Sequence, residues 1–300
     1  MNYPNFLIAG VPKSGTTTLW KNLCQHPNIF LPSLKEPHFF VTVPDDWARA
    51  KPVDTIDVYR SLFEPATSEA AVGEASPGYF SSQEAPTRIR KVLGVPQIIF
   101  VFRNPIERAF SHFLFSLQNG LEPGSATFRS AIQNDTVQLA NSVRHRPYVN
   151  IGYYYDHLQR WTSIFDRKAI KIMFFDDLND DEVAFTQSVY DFLGVDDSFV
   201  PETGVAHAKS GLPKSRRLHS LVNSTGPLRR TLKAWCPEWL LQEIRGALTS
   251  ARTTVKNWNL KKPALPEKQY RKLADRYQSD IYQLEKETGR DLSHWLSPTS

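Results

Sequence analysis

Residues 5–24 constrain this chain more than any other stretch. Residues 5–9 (NFLIA) form a short apolar run, and Gly10, Pro12 and Gly15 follow within six residues. From Thr16 to Cys24 the pattern turns helical, with Leu19, Trp20 and Leu23 supplying an apolar side. The stretch predicts a buried strand that runs through a tight loop into a helix. Such a loop is a natural seat for an anion. The first N–H groups of a helix lack internal partners, and the helix dipole favours negative charge there. Gly15 lets the backbone come close; Ser14, Thr16, Thr17 and Thr18 add hydroxyl donors, and Lys13 adds a positive charge. Gly10 and Gly15 have the spacing of the nucleotide-triphosphate loop G-x-x-x-x-G-K-[ST]. Position 16 is threonine, however, and the lysine stands ahead of the second glycine. A plain helix start capped by a threonine is the structural alternative.

Strand and helix patterns alternate through the next two hundred residues. Residues 97–102 (QIIFVF) read as a second buried strand. Pro105 suits the first turn of a helix, and Ile106, Ala109, Phe110, Phe113, Leu114 and Leu117 then recur at helical spacing. Residues 153–165 read as an amphipathic helix and 169–175 as a third strand. Residues 182–193 read as a helix stopped by Gly194, and residues 267–288 as a long helix in a mainly helical last hundred. This order predicts an α/β fold with a central parallel sheet flanked by helices and a helical C-terminal region. Ligands of such sheets bind beyond the carboxyl ends of the strands. No stretch reads as a linker, so residues 1–300 are expected to form a single domain.

Charge and composition narrow the partners. The first 200 residues carry 18 basic and 22 acidic side chains, the last hundred 18 and 9. Between Thr203 and Pro237 there is no acidic residue, while Lys209, Lys214, Arg216, Arg217, Arg229, Arg230 and Lys233 fall there. A positive surface attracts nucleotides, polymers or lipid headgroups; a solvated basic face is the bland alternative. Two cysteines, Cys24 and Cys236, make no disulfide framework. No run approaches the ~18 apolar residues of a membrane span, and residues 1–11 lack the basic lead of a signal peptide. A cytoplasmic chain without a membrane span is the expectation. No Cys/His cluster has metal-ligand spacing, so no metal site is expected.

Two motifs in order make a family resemblance specific. Pro12-Lys13-Ser14-Gly15-Thr16-Thr17 resembles the 5′-phosphosulfate loop of sulfotransferases that use 3′-phosphoadenosine 5′-phosphosulfate (PAPS). Arg103-Asn104-Pro105-Ile106-Glu107-Arg108-Ala109-Phe110-Ser111 resembles the same family's 3′-phosphate motif. The resemblance implies a P-loop-like three-layer fold, with Lys13 to Thr18 at the 5′ side and Arg103 and Ser111 on the 3′-phosphate. An Arg fork plus a hydroxyl is sound chemistry for a dianion. A structural salt bridge is the alternative for Arg103, and Arg108 is assigned to bracing the fold.

The resemblance extends over nearly the whole chain. Lys35-Glu36-Pro37-His38-Phe39-Phe40 is similar to a segment of bacterial-type sulfotransferases and of heparan-type carbohydrate sulfotransferases, in which the glutamate is the general base. Glu36 is the first choice for that role and His38 the second, since carboxylate and neutral imidazole both accept a proton. In the Gly73–Phe80 segment (GEASPGYF), heparan-type relatives commonly carry a lysine after the glutamate; here Ala75 stands in that place. This weakens the case for a sulfated-glycan acceptor and leaves Glu74 and Ser76 divided between acceptor pocket and structure. Gly152 to Trp161 resembles the family's Gly-x-Tyr-x-x-His-Leu-x-x-Trp helix, which assigns Tyr154 to the cofactor site. Lys214, Ser215 and Arg216 lie in a segment resembling the late basic loop that closes over PAPS. The stretch ending in Trp295 resembles the C-terminal pattern, with a structural tryptophan.

The implied reaction is in-line transfer of the sulfuryl group of PAPS to an acceptor hydroxyl or amine. It releases 3′-phosphoadenosine 5′-phosphate (PAP) and requires no metal. Glu36 is the implied base, and Lys13 stabilises the leaving group. A small molecule, a glycan or a lipid is the expected acceptor, with no nucleic-acid partner; the oligomeric state is open. Two other classes compete. A P-loop kinase or ATPase calls for lysine at position 16 and a metal-binding aspartate at a strand end, where this chain has Arg103. A non-enzymatic polyanion binder rests on the basic last third alone.

Overall fold

The structure is a computed structural model that describes residues 3–42, 53–137, 147–204, 212–213, 260–261 and 263–298. The chain divides into two compact units, one of residues 1–112, 127–205 and 265–300, the other of residues 113–126 and 206–264. The first unit holds a five-stranded sheet of β1 (Phe6–Gly10), β2 (Ile29–Phe30), β3 (Ala71–Ala75), β4 (Gln97–Phe102) and β5 (Ile170–Phe174). All neighbours in the order β2-β3-β1-β4-β5 are parallel. Among the described residues of the second unit, β6 (Leu212–Pro213) and β7 (Leu260–Lys261) pair antiparallel.

The parallel sheet explains why β1 and β4 read as unbroken apolar runs: both faces are covered. Nine α-helices lie among the described residues: α1 (Thr16–Leu23), α2 (Ile56–Ser61), α3 (Ala85–Leu93), α4 (Pro105–Gln118), α5 (Phe128–Val137), α6 (Tyr154–Thr162), α7 (Phe175–Asp180), α8 (Glu182–Leu193) and α9 (Glu267–Thr288). Phe6, Ile8, Ile99, Val101 and Met173 form one core with Leu19 and Leu23 of α1 and Phe185, Val189 and Leu193 of α8. A second cluster is aromatic. Phe100 and Phe102 of β4 pack against Phe80 and against Trp161 and Tyr154 of α6, with ring centroids 4.6–5.3 Å apart. No described helix is long and apolar enough to cross a membrane.

The expected fold class is the observed one, and the predicted strands at 5–9 and 169–175 are found within a residue at each end. The helix expected at 153–165 is shorter, Tyr154–Thr162, because Ser163 begins a turn closed by bonds back to Gln159 and Trp161. The sequence reading did not give β2, β3, α2, α3, α5 or α7, and two of these have a clear physical reason. α7 begins at Phe175, which the apolar pattern joins to the strand before it. β3 reads AVGEA, a poor strand sequence, and its composition is set by neighbours. Gly73 faces Phe6 across the β1–β3 register, and a Cβ there would lie 2.3–2.5 Å from the Phe6 ring.

Topology fixes where a ligand goes. The connection leaving β1 runs to β2 on one side, and that leaving β4 runs to β5 on the other. β1 and β4 are adjacent, so their carboxyl ends flank the switch-point crevice of an open parallel sheet.

Gly73→Ala is expected to cost about 1–3 kcal/mol of stability through overpacking against the buried Phe6 ring. The check is the urea midpoint at constant m-value; an unchanged midpoint means the strands separate at no cost.

Candidate active site

The loop after β1 stays bonded to β4 as it leaves, for Val11 N–H donates to the Val101 carbonyl at 3.2 Å. It then turns on two left-handed residues, Lys13 at φ +73° and Gly15 at φ +87°. Gly15 is the N-cap of α1, and a Cβ there would stand 2.4 Å from Leu178 Cδ2 and 3.0 Å from Phe175. Backbone and packing both demand glycine. No side chain caps α1, so the threonine-capped alternative does not hold. Ser14 is fully buried, and its hydroxyl has no hydrogen-bond partner among the described residues. Thr16 is buried and Thr17 and Thr18 half-buried at the same helix start. Uncapped amides beside a buried, unanswered hydroxyl are a donor set that an anion completes.

Arg103 stands at the end of β4. Its Nη1 donates to the Lys13 carbonyl at 3.4 Å, and its Nη2 to Glu107 Oε2 at 2.7 Å. Its Nε is buried without a partner among the described residues. The guanidinium lies 4.5 Å from the Phe175 ring centroid. The two segments singled out in the sequence therefore meet. Ser111 is buried two turns along α4. Tyr154, also buried, donates to the Arg103 carbonyl at 2.8 Å, and burial pushes its phenol up to about 12, so it remains a neutral donor. Asn104 Oδ1 accepts from Ile106 N–H at 3.0 Å, and its Nδ2 donates to Tyr270 Oη at 2.9 Å. Arg108 is fully buried, with Nη2 donating to the Tyr148 carbonyl.

The Glu36 loop sits at the carboxyl end of β3, on the other side of β1. Glu36 N–H donates to the Ala75 carbonyl at 3.0 Å, and His38 N–H to Ser76 Oγ at 3.2 Å. Both residues are left-handed, at φ +65° and +53°. Lys35 Nζ lies 2.6 Å from one carboxylate oxygen of Glu36, and His38 Nε2 lies 3.4 Å from the other. Burial pushes the carboxyl up, but His38 and Lys35 outweigh it and hold it at about 2. The Glu36 side chain is 43% exposed, so solvent can reach this carboxylate. Behind the loop, fully buried Glu74 accepts from Ser76 Oγ at 2.6 Å, Tyr79 Oη at 2.8 Å and Tyr59 Oη at 3.0 Å. Burial raises the Glu74 carboxyl. Ser76 thus links the interior carboxyl to the His38 backbone.

Lys214, Ser215 and Arg216 lie outside the described residues. In the segment around α6, His157 Nε2 contacts the Asn150 carbonyl at 3.0 Å, burial pushes this imidazole down to about 4, and Trp161 Nε1 donates to the Phe80 carbonyl. Sequence reasoning passed over three residues: Glu107 on Arg103, Phe175 beside it, and Asn104, which caps α4. Two had a visible signal: Asn104 directly precedes the Pro105 that opens the helix, and Glu107 lies four residues from Arg103 on one side and Ser111 on the other.

The family model of the sulfotransferase domain matches residues 3–287. The chain belongs to the sulfotransferase domain family. Over 211 residues this sulfotransferase-family chain is 29% identical to heparan sulfate glucosamine 3-O-sulfotransferase 6 of Mus musculus, covering 70% of itself and 58% of that protein. It is 32% identical over 203 residues to bifunctional heparan sulfate N-deacetylase/N-sulfotransferase 2 of Homo sapiens, covering 64% and 22%. It thus spans less than two thirds of the length of these curated relatives. The crystal structure of a sulfotransferase from Alicyclobacillus acidocaldarius shares its fold, with TM-score 0.73 at 24% identity over 99% of this chain and 100% of that one.

Tyr154→Phe removes only the bond to the Arg103 carbonyl and leaves that buried acceptor unanswered. The expected loss is about 1–3 kcal/mol of stability, read by chemical denaturation; a variant as stable as wild type would show that the bond is dispensable.

Proposed function

We propose that this chain transfers the sulfuryl group of PAPS to an acceptor hydroxyl or amine. The observation that carries the reading is the meeting of two donor-rich loops at the β1–β4 crevice, where Arg103 Nη1 reaches the Lys13 carbonyl at 3.4 Å. Their chemistry fits the two anionic ends of the nucleotide: Ser14 Oγ and Arg103 Nε are buried donors with no partner among the described residues. When bound, PAPS supplies an activated sulfuryl group on a 5′-phosphate leaving group.

The residues divide the work. The α1 amides and the hydroxyls of Ser14, Thr16, Thr17 and Thr18 hold the 5′ side, and Arg103 and Ser111 hold the 3′-phosphate. Lys13 places positive charge where the leaving oxygen gains negative charge, which is electrostatic preorganisation. Glu36 takes the acceptor proton, with Lys35 and His38 fixing its carboxylate. Tyr154 acts from beneath, through the Arg103 backbone. The acceptor search begins with glycans, because the relatives above are named for heparan sulfate. It extends to small-molecule and lipid hydroxyls, because Ala75 puts no cation where heparan-type relatives commonly carry one.

Thermal shift with PAP, and with ADP and ATP with and without Mg²⁺, tests the donor site. A ~100-fold excess over Kd of a ligand that binds only the folded state adds about 2.7 kcal/mol. The expected result is a large shift with PAP that Arg103→Ala abolishes; a larger shift with Mg·ATP would overturn the reading in favour of a kinase.

Glu36→Gln is expected to keep PAP affinity and lose turnover. Loss of PAP binding in that variant would make Glu36 structural.

The pH profile tests Glu36 as the base. Glu36 held at about 2, below the ordinary 4.5, is ionised at every pH above that value and loses its basicity only as pH falls through it. Activity should therefore show no acid limb between about pH 4 and 5; a limb in that range or above it would overturn Glu36 as the base.

A further inference from the structure

Glu107 has no part in the chemistry above, yet it holds the guanidinium on which the donor site depends. Its Oε2 lies 2.7 Å from Arg103 Nη2. Glu107 and Ser111 are four residues apart on α4, so they are neighbours on one helix face. Arg103 reaches the same stripe one step earlier, at i−4 from Glu107. A carboxylate thus stands midway along the row that begins with Arg103 and ends with Ser111, the two groups assigned to the 3′-phosphate.

The arrangement has a physical reason and a physical cost. The Arg103 side chain is 12% exposed, and its other contacts are a carbonyl at 3.4 Å and an aromatic ring. A charge so enclosed needs an anion, and Glu107 supplies one. A phosphate dianion drawn to Arg103 and Ser111 then meets a like charge a few ångströms away. The Glu107 side chain is the more accessible partner, at 30% exposure, so it is the member that can rotate out to water. A dianion with three acceptor oxygens outbids a monoanionic carboxylate for the planar fork of an arginine.

We propose that Glu107 is the resident anion of the 3′-phosphate subsite: it neutralises Arg103 when no nucleotide is bound, yields to the incoming phosphate, and returns as the nucleotide leaves. This rests on the assignment of Arg103 and Ser111 to the 3′-phosphate. The exchange keeps the guanidinium ordered between turnovers. It also loosens the hold on PAP, so that product release is faster than the donor set alone would allow. A Glu107 that served only to orient Arg103 would have the opposite effect on nucleotide binding when its charge was removed.

The test is calorimetric titration of wild type and Glu107→Gln with PAP and with adenosine 5′-monophosphate, which lacks the 3′-phosphate, alongside product inhibition by PAP in the transfer assay. Removing the like charge should tighten PAP binding by at least roughly tenfold, with the PAP inhibition constant falling in parallel and adenosine 5′-monophosphate unchanged. Glu107→Asp, which draws the carboxylate back from Nη2, should move PAP affinity in the same direction by less, and it answers the question if the glutamine variant fails to fold. Unchanged or weaker PAP binding in these variants overturns the proposal and makes Glu107 a strut for Arg103. Wild type that binds PAP no more tightly than adenosine 5′-monophosphate overturns the 3′-phosphate assignment itself.

Discussion

Val11 donates to the Val101 carbonyl, and a few residues further on Arg103 donates to the Lys13 carbonyl. These two bonds close the carboxyl end of the β1–β4 seam, and the site depends on them. The strand pair ends in register shift rather than regular pairing, with Gly10 opposite Phe100 after Ile8 opposite Ile99. The backbone then leaves the sheet as a loop whose amides no side chain caps. Gly15 seals the arrangement from below, because α7 presses Leu178 and Phe175 into the space a Cβ would need. Phe175 also lies against the Arg103 guanidinium. One aromatic side chain thus borders both segments, so the geometry of the loop and the position of the arginine are not independent.

The Glu36 loop is built on a different principle. Lys35, Glu36 and His38 are held by the end of β3, through the Ala75 carbonyl and the Ser76 hydroxyl. Two left-handed non-glycine residues flanking a proline are costly, and such strain persists only where the surroundings over-determine it. Here the surroundings are Glu74 and its three hydroxyl donors, from Tyr59, Ser76 and Tyr79. The buried carboxyl fixes Ser76, Ser76 fixes the His38 backbone, and His38 and Lys35 fix Glu36. The division of Glu74 and Ser76 between pocket and structure is resolved by burial: both are interior groups that act on the exposed carboxylate through others.

What the sequence could reveal here was local. A strand, glycines at fixed spacing and a helix lie within twenty residues, and each rule that identifies them acts over a few positions. The same holds for the passage from β4 into α4, where Arg103, Pro105 and the apolar stripe are contiguous. β3 was illegible for the converse reason. Gly73 is glycine because of Phe6, sixty-seven positions away in the chain, and Glu74 is tolerated because of a tyrosine on α2 and another after Pro77. Tyr154 was legible as a motif residue, but its bond to the Arg103 carbonyl was not, since helical spacing says which face a side chain takes and not which backbone group it finds. Lys214, Ser215 and Arg216 keep their sequence assignment alone.

The C-terminal end of the chain belongs in the same account. Trp295 donates through Nε1 to Asp176 on α7 and offers its carbonyl to Asn104 Nδ2, while Arg290 pairs with Asp177 at 2.5 Å. Asn104 caps α4 with its other end. The tail therefore grips both the helix that underlies Gly15 and the residue next to Arg103. Asp280 of α9 adds a third hold, accepting from the Tyr155 and Asp156 amides at the start of α6, the helix that carries Tyr154. Burial pushes this carboxyl up to about 6, which means that its charged, capping form is held against a desolvation cost. A carboxyl raised in the folded chain costs no stability below its unfolded value; the penalty grows as pH rises from about 4 to about 6, where only the unfolded chain is ionised, and is constant above that. The last thirty-five residues thus hold the start of α6, the start of α7 and Asn104, the elements that border Arg103 and Gly15.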